Sequence, residues 1–213
     1  MRLSAAIFDL DGVIVFTDQL HYRAWKEMAD SLNIYFDEQI NDRLRGVSRM
    51  ESLDIILEKY NGKPLSPKEK EALADHKNSI YKELLKTMTP KDVTDEVRET
   101  LKELKARGYK LAIGSSSKNA RFILEQVELI NVFDEVSDGT QIKKSKPDPE
   151  VFLNASTLLN EEPHKCLVIE DADAGIVAGK AAGMKTAAIG PATANQVSDY
   201  NLTTFSDLLN ILK

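Results

Sequence analysis

The sequence predicts an α/β fold, a doubly wound parallel sheet carrying an inserted helical cap domain, and three observations lead there. The apolar run Ala5-Ala6-Ile7-Phe8 ends in Asp9-Leu10-Asp11-Gly12-Val13, which is how a short buried strand delivers acids to the edge of a sheet. The next segment with comparable strand character, Lys110-Leu111-Ala112-Ile113-Gly114, comes roughly a hundred residues later, so something is inserted between the two. Beyond it, helical and strand patterns alternate toward the C-terminus, as a doubly wound sheet requires.

Taken in order, segment 3 to 10 reads as the first strand. The insertion is helical in period. His21 to Leu32 puts Tyr22, Trp25, Met28, Ala29 and Leu32 on one stripe. Ser52 to Tyr60 carries Leu53, Ile56, Leu57 and Tyr60, and Pro67 to Leu85 carries Leu73, Ile80, Tyr81 and Leu84. Thr89-Pro90 ends the insertion, so residues 17–88 form the cap domain and 1–16 with 89–213 the core domain. Thr94 with Asp95 and Glu96 gives an N-cap and acidic first turn for a helix ending near Gly108. Strand 109 to 114 precedes a helix over 118 to 129, and a short strand at 135 to 137 precedes a helix with Asp148 as N-cap and Pro149 in its first turn. Strand 166 to 170, a helix from 172 to 182 ended by Gly183, and strand 185 to 189 complete the alternation.

At 213 residues the chain can bury a substantial core. Its net charge of −6 argues against nucleic acid as a main partner, while leaving room for a local basic pocket that takes an anionic metabolite. The one cysteine, Cys166, lies in Cys166-Leu167-Val168-Ile169 and reads as a buried strand thiol; no intrachain disulfide is possible and a reducing compartment is expected. No apolar run has the length of a membrane span or a secretory signal, so the expectation is a cytoplasmic protein with no membrane partner. No long apolar surface pattern argues against a monomer.

Three features fall at the predicted carboxyl ends of three strands: Asp9-Leu10-Asp11, Gly114-Ser115-Ser116-Ser117 and Glu170-Asp171. Residues two apart on a strand share a face, so Asp9 and Asp11 are expected to converge, as a nucleophile beside an acid/base, a metal site, or both. Ser115 and neighbouring backbone N–H groups at the mouth of the 118 to 129 helix suit a phosphate. Glu170 and Asp171 add two carboxylates, and four unscreened acids imply a hard divalent ion, with magnesium favoured by oxygen ligands near phosphate. Lys146 in Lys143-Lys144-Ser145-Lys146-Pro147 supplies a fixed cation against phosphate charge, in a loop restrained by Pro147.

In this order these elements resemble the haloacid dehalogenase superfamily, with its Rossmann-like core, and the insertion after the first strand resembles its helical-cap subclass. The resemblance implies that Asp9 attacks phosphorus to give an aspartyl-phosphate and that Asp11 is the general acid/base. It also implies magnesium held by the Asp9 carboxylate, the Asp11 backbone carbonyl, and Glu170 or Asp171. His21-Tyr22-Arg23-Ala24-Trp25, Arg45-Gly46-Val47-Ser48-Arg49, Lys77-Asn78 and Ser115-Ser116-Ser117-Lys118-Asn119 are similar to motifs of a sugar-phosphate mutase branch. By that matching Arg49, Ser117 and Asn119 hold the non-transferring phosphate, with Lys118 helping. Gly46, Val47 and Ser48 line the sugar pocket, and Trp25 and Ser116 belong to the same motifs. His21 and Lys77 tie the closed cap to the reacting hydroxyls and to Asp11. The implied substrate is a small sugar phosphate, with interconversion of beta-glucose 1-phosphate and glucose 6-phosphate through a bisphosphate. A sugar-phosphate phosphatase, or a phosphosugar-binding module without catalysis, stays open.

Two positions depart from the superfamily pattern. Val15-Phe16-Thr17 has Phe16 where relatives carry an acid, and Phe16 either packs against the base of the cap or alters hinge opening. Thr94-Asp95 replaces a common Pro-Gly, with a structural consequence expected. His164 and His76 read as surface residues, and Lys143 and Lys144 as a solvated face. Taken alone, Ser117 and Asn119 would read as helix caps.

Overall fold

The computed structural model describes residues 2–44 and 48–213. The chain divides into two compact units, Met1–Phe16 with Met88–Lys213, and Thr17–Thr87. The larger unit holds a six-stranded, all-parallel sheet in the order β3-β2-β1-β4-β5-β6, formed by β1 (Ala5–Phe8), β2 (Lys110–Gly114), β3 (Glu135–Ser137), β4 (Cys166–Glu170), β5 (Lys185–Ala188) and β6 (Tyr200–Asn201). β1 is flanked by β2 on one side and β4 on the other, with Phe8 in register with both Ile113 and Ile169. The strand order reverses at β1, which opens the crevice in which open α/β sheets bind their ligands.

Helices cover both faces of the sheet because β1 is apolar on both. Ala5 and Ile7 join Phe152, Ala155, Val168 and Ala178, which belong to β4 and to two helices, Glu150–Leu158 and Asp173–Ala181. Phe8, on the other face, meets Phe133 edge-on at 6.0 Å and stacks on Phe205 at 5.8 Å between ring centroids. The Phe205 turn runs into a short helix, Leu208–Ile211, which packs with the helix Asp95–Ala106. Cys166 is fully buried in β4, and burial pushes its thiol up to about 12. Thr94 caps the Asp95–Ala106 helix, its hydroxyl accepting from the Val97 N–H at 3.3 Å, so the departure at this position is structural.

The smaller unit is helical. Counted through the chain, α1 is Asp18–Ser31, α2 Glu38–Asp42, α3 Arg49–Leu57 and α4 Pro67–Leu85; the larger unit continues with α5 (Asp95–Ala106), α6 (Ala120–Gln126), α7 (Glu150–Leu158), α8 (Asp173–Ala181) and α9 (Leu208–Ile211). Trp25, Met28, Ala29, Ile34, Phe36, Leu53, Ile56 and Ala74 form the core of the helical unit. Reciprocal capping boxes open α3 (Ser48 with Glu51) and α4 (Ser66 with Glu69, followed by Pro67).

Several sequence expectations shift. β1 stops at Phe8, because Gly12 at φ +85° turns the chain and its N–H bonds to the Val15 carbonyl at 2.7 Å. The buried face of α4 is Ala74, Lys77, Tyr81 and Leu85, one position round from the predicted Leu73, Ile80 and Leu84, which are only half-buried. A lysine on the buried face hides that stripe from a hydropathy reading. The helix expected over 118 to 129 is confined to α6, since Ser115, Ser117 and Asn119 are engaged in a loop. Pro149, not Asp148, occupies the cap position of α7; Asp148 still accepts the Glu150 N–H at 3.1 Å. The two-residue β6 and the five-residue α2 have patterns too short to detect by period. Phe16 is 73 % exposed rather than packed.

Candidate active site

Asp9 follows β1 directly, and its N–H donates to the Ile169 carbonyl of β4 at 2.9 Å, so the strand pairing continues into the site. Glu170 ends β4 and Asp171 follows it. Carboxylate oxygens of Asp9, Glu170 and Asp171 lie within 4.8 Å of one another, the one such acidic group found among the described residues. Asp11 stands outside this trio. β1 has ended by this point, and Asp11 sits in the Gly12 turn, bridged to Val15. Its charge nevertheless reaches Asp171. Burial first, then Asp9, with Asp11 adding to the effect against the pull of Lys146, pushes the Asp171 carboxyl up to about 7.

Lys146 lies in the loop before α7, joined to Pro147 by a cis peptide, and its ammonium bridges two acids. It donates to Asp9 Oδ1 and, at 2.5 Å, to Glu170 Oε1. Its side chain is 10 % exposed and that of Glu170 2 %, so both charges are out of water. Burial alone would lower the lysine's affinity for its proton, but Asp9 and Glu170 outweigh that and hold it above the ordinary range. The Phe152 ring lies beneath the ammonium at 4.8 Å, a cation–π contact that no local pattern in the sequence signals. Glu170 Oε2 also accepts the N–H groups of Asp171 and Ala172, at 3.0 and 3.1 Å. Burial and the Asp9 charge still raise the Glu170 carboxyl, against the opposing pull of Lys146.

The donor chemistry fits a hard divalent cation. Three carboxylates cluster about one ammonium, so acids outnumber the cation, and every donor is oxygen. The trio is therefore a candidate divalent-metal centre.

At the end of β2, Ser115, Ser116, Ser117, Lys118 and Asn119 form a compact loop. The Ser115 N–H bonds to the Ser137 carbonyl (3.0 Å), the Ser117 N–H to Ser115 Oγ (3.1 Å), and the Asn119 N–H to Ser117 Oγ (3.2 Å). These three N–H groups are thus committed within the protein. α6, with seven residues, is also a short source of dipole. What the loop does present is hydroxyl chemistry: Ser116 Oγ is buried with no hydrogen-bond partner among the described residues. Ser115 and Asn119 are buried, Ser116 and Ser117 half-buried and Lys118 exposed.

In the helical unit, His21 and Trp25 of α1 meet Lys77 and Tyr81 of α4. Lys77 Nζ lies 2.9 Å from His21 Nδ1 and over the rings of Trp25 (4.6 Å) and Tyr81 (4.7 Å). His21 stacks on Tyr81 at 4.0 Å, and Tyr81 donates to Thr17 Oγ1 at 3.1 Å. Burial first, then the Lys77 and Arg49 charges, lowers the His21 pKa well below the ordinary imidazole range, so Nδ1 accepts from the ammonium. Tyr81 is the member that the sequence pattern placed only in the core. Arg49 donates to Asn78 Oδ1 at 3.1 Å and lies 3.8 Å from Asp75. Ser48 caps α3, a structural role in addition to its predicted place in a sugar pocket. Gly46 and Val47 lie outside the described residues. His76 and His164 are exposed, as are Lys143 and Lys144.

Comparison with known proteins agrees with this geometry. The haloacid dehalogenase-like hydrolase family matches residues 6–189. Beta-phosphoglucomutase of Bacillus subtilis (strain 168) is 40% identical over 212 residues, covering 97% of this chain and 92% of that protein. A phosphorylated carbohydrates phosphatase of Thermotoga maritima is 33% identical over 185 residues, covering 86% and 83%. The crystal structure of beta-phosphoglucomutase from Clostridium difficile superposes with a TM-score of 0.88 at 37% identity, covering 97% of this chain and 93% of that one. The sheet order, the acids at the ends of β1 and β4, and these matches across nearly the whole length make the chain a member of the haloacid dehalogenase-like hydrolase family.

Proposed function

We propose that the protein is a magnesium-dependent beta-phosphoglucomutase, interconverting beta-D-glucose 1-phosphate and beta-D-glucose 6-phosphate by phosphoryl transfer through Asp9. The observation that carries the chemistry is the buried bridge from Lys146 to Asp9 and Glu170 beside Asp171. The choice of substrate is supported by the near-full-length similarity to two beta-phosphoglucomutases.

In this reading an Asp9 carboxylate oxygen attacks phosphorus, the new O–P bond forms, and the donor's P–O bond breaks to leave an aspartyl-phosphate. Lys146 holds Asp9 in place and offsets charge on the phosphoryl oxygens. Asp9, Glu170 and Asp171 with the Asp11 main-chain carbonyl would hold magnesium, which would supply further neutralisation of phosphoryl charge. Asp11 takes the proton from the sugar hydroxyl as that oxygen attacks the aspartyl-phosphate, and returns a proton to the leaving oxygen in the reverse direction. The hydroxyls of Ser115, Ser116 and Ser117, with Lys118 and Asn119, bind phosphate oxygens. His21, Trp25, Ser48, Arg49 and Lys77, with Gly46 and Val47, recognise the sugar phosphate.

A phosphatase of the same family would let water attack in place of the sugar, and the similarity to the Thermotoga maritima phosphatase supports that second reading. A thousandfold preference for sugar over water requires roughly 4 kcal/mol of transition-state discrimination. The test is a primed assay with beta-glucose 1-phosphate, magnesium and glucose 1,6-bisphosphate. Glucose 6-phosphate is the expected product; release of inorganic phosphate without it overturns the mutase reading and favours the phosphatase.

A further inference from the structure

Two of the three clustered carboxylates rest against glycines. Gly175 is buried in the first turns of α8, and a Cβ built on it would lie 1.9 Å from both Cδ and Oε1 of Glu170. Gly12 is the parallel case: a Cβ there would lie 2.0 Å from Asp171 Oδ2, although its φ of +85° independently favours glycine. Gly175 carries no such conformational demand. It sits inside a helix, where alanine is the better helix former, so only a neighbour explains the missing side chain. That neighbour is Glu170, whose Oε1 meets Lys146 and whose Oε2 meets the N–H groups of Asp171 and Ala172.

We propose that Gly175 is a positioning residue of the acidic site: its bare Cα is the seat that lets the Glu170 carboxylate reach Lys146 and the Asp171 and Ala172 N–H groups at once. Carbon atoms in contact are ordinarily about 3.5–4.0 Å apart, so a methyl group at 175 moves the carboxylate by roughly 1.5 Å. A shift of that size cannot keep all three hydrogen bonds, and it moves one of the three clustered oxygen donors. The inference rests on the reading of Asp9, Glu170 and Asp171 as the site of a divalent ion, and it holds whether the acceptor is sugar or water.

The experiment compares Gly175→Ala, Glu170→Asp, the double variant, and Gly179→Ala. Gly179 is a control on the same helix, because its Cβ would meet Thr186 and Val168 of the core instead of the acids. Magnesium affinity is read by titration calorimetry, alongside the thermal midpoint, kcat and KM. Gly175→Ala is expected to weaken magnesium binding by about tenfold or more, the scale of second-sphere metal-site changes, while Gly179→Ala lowers the midpoint and leaves affinity near wild type. Shortening Glu170 in the Gly175→Ala background should recover affinity, although the same change alone weakens it. Wild-type affinity in Gly175→Ala, or purely additive losses in the double variant, would overturn the proposal. A crystal structure of metal-free Gly175→Ala tests the seat independently of metal binding and activity: Glu170 still bonded to Lys146 refutes the proposal, and Glu170 displaced from it supports the proposal.

Discussion

Asp9 and Asp11 differ in setting although only one residue separates them. Asp9 is 8 % exposed, bonded to Lys146 and part of the acidic trio, whereas Asp11 sits half-buried in the Gly12 turn outside it. An ionised oxygen held beside a cation suits attack on phosphorus, and a carboxyl with more access to solvent suits passing a proton. Asp9→Asn is therefore expected to abolish turnover in the primed assay and to prevent a beryllium fluoride adduct. Asp11→Asn should lose about 10²–10⁴ in transfer to sugar while calorimetry still detects magnesium binding. Equal residual mutase activity in the two variants would contradict the assignment. Lys146 unites the two ends of the site, since its partners Asp9 and Glu170 come from different strands.

Helix caps and a buried imidazole govern the helical unit at the level of its elements. Ser66 accepts the Glu69 N–H while Glu69 accepts from the Ser66 N–H at 2.7 Å, so both orphan donors at the start of α4 are satisfied. Ser66→Ala should cost about 1 kcal/mol, read as a lower urea midpoint, whereas the exposed Ser79→Ala should cost less. His21 adds a pH dependence of determinate sign. Its folded pKa is depressed by burial, Lys77 and Arg49, so below about pH 6.5 the unfolded chain binds a proton that the folded helices refuse. Stability is full above that pH and falls as pH drops toward the folded pKa, by at most about 1.4 kcal/mol per pH unit. Fluorescence of Trp25, the single tryptophan, follows the helical unit; its urea midpoint should decline from pH 7 to 5, and His21→Gln should flatten that slope.

For the whole molecule the dominant electrostatic fact is the crowding of acids at the carboxyl ends of β1 and β4. The folded-state pKa of Asp171 is raised to about 7 and that of Glu170 is also raised, so without metal the folded protein binds protons that the unfolded chain has already released. The sign is opposite to that of His21: the contribution of these two carboxyls to stability declines as pH rises from about 4 to about 7. A divalent ion held by the trio would replace those protons. Magnesium should accordingly raise the thermal midpoint little at pH 5 and much more at pH 8, approaching about 2.7 kcal/mol at a hundredfold excess over Kd. A magnesium shift that is the same at both pH values would remove the trio as its binding site.

Short-range pattern was enough to locate much of this architecture. Apolar runs bounded by acids or glycine locate β1, β2 and β4, because a strand buried on both faces must be apolar throughout, and Thr94 marks the start of α5 through its own hydroxyl. The acids and serines at the strand ends were legible for the same reason. Contacts between distant residues were not. Lys146 reaches Asp9 across 137 positions and Lys77 reaches His21 across 56, and neither period nor propensity encodes such a meeting. The buried face of α4 escapes a hydropathy reading because it contains Lys77, whose ammonium lies beside His21, Trp25 and Tyr81. By itself the sequence determined which strands carry acids to one edge of the sheet, since those signals are local. Tertiary packing alone decided which of the acids share a cation and that Glu170 rests on Gly175, because these depend on the register of β1 against β4 and on the close approach of α8.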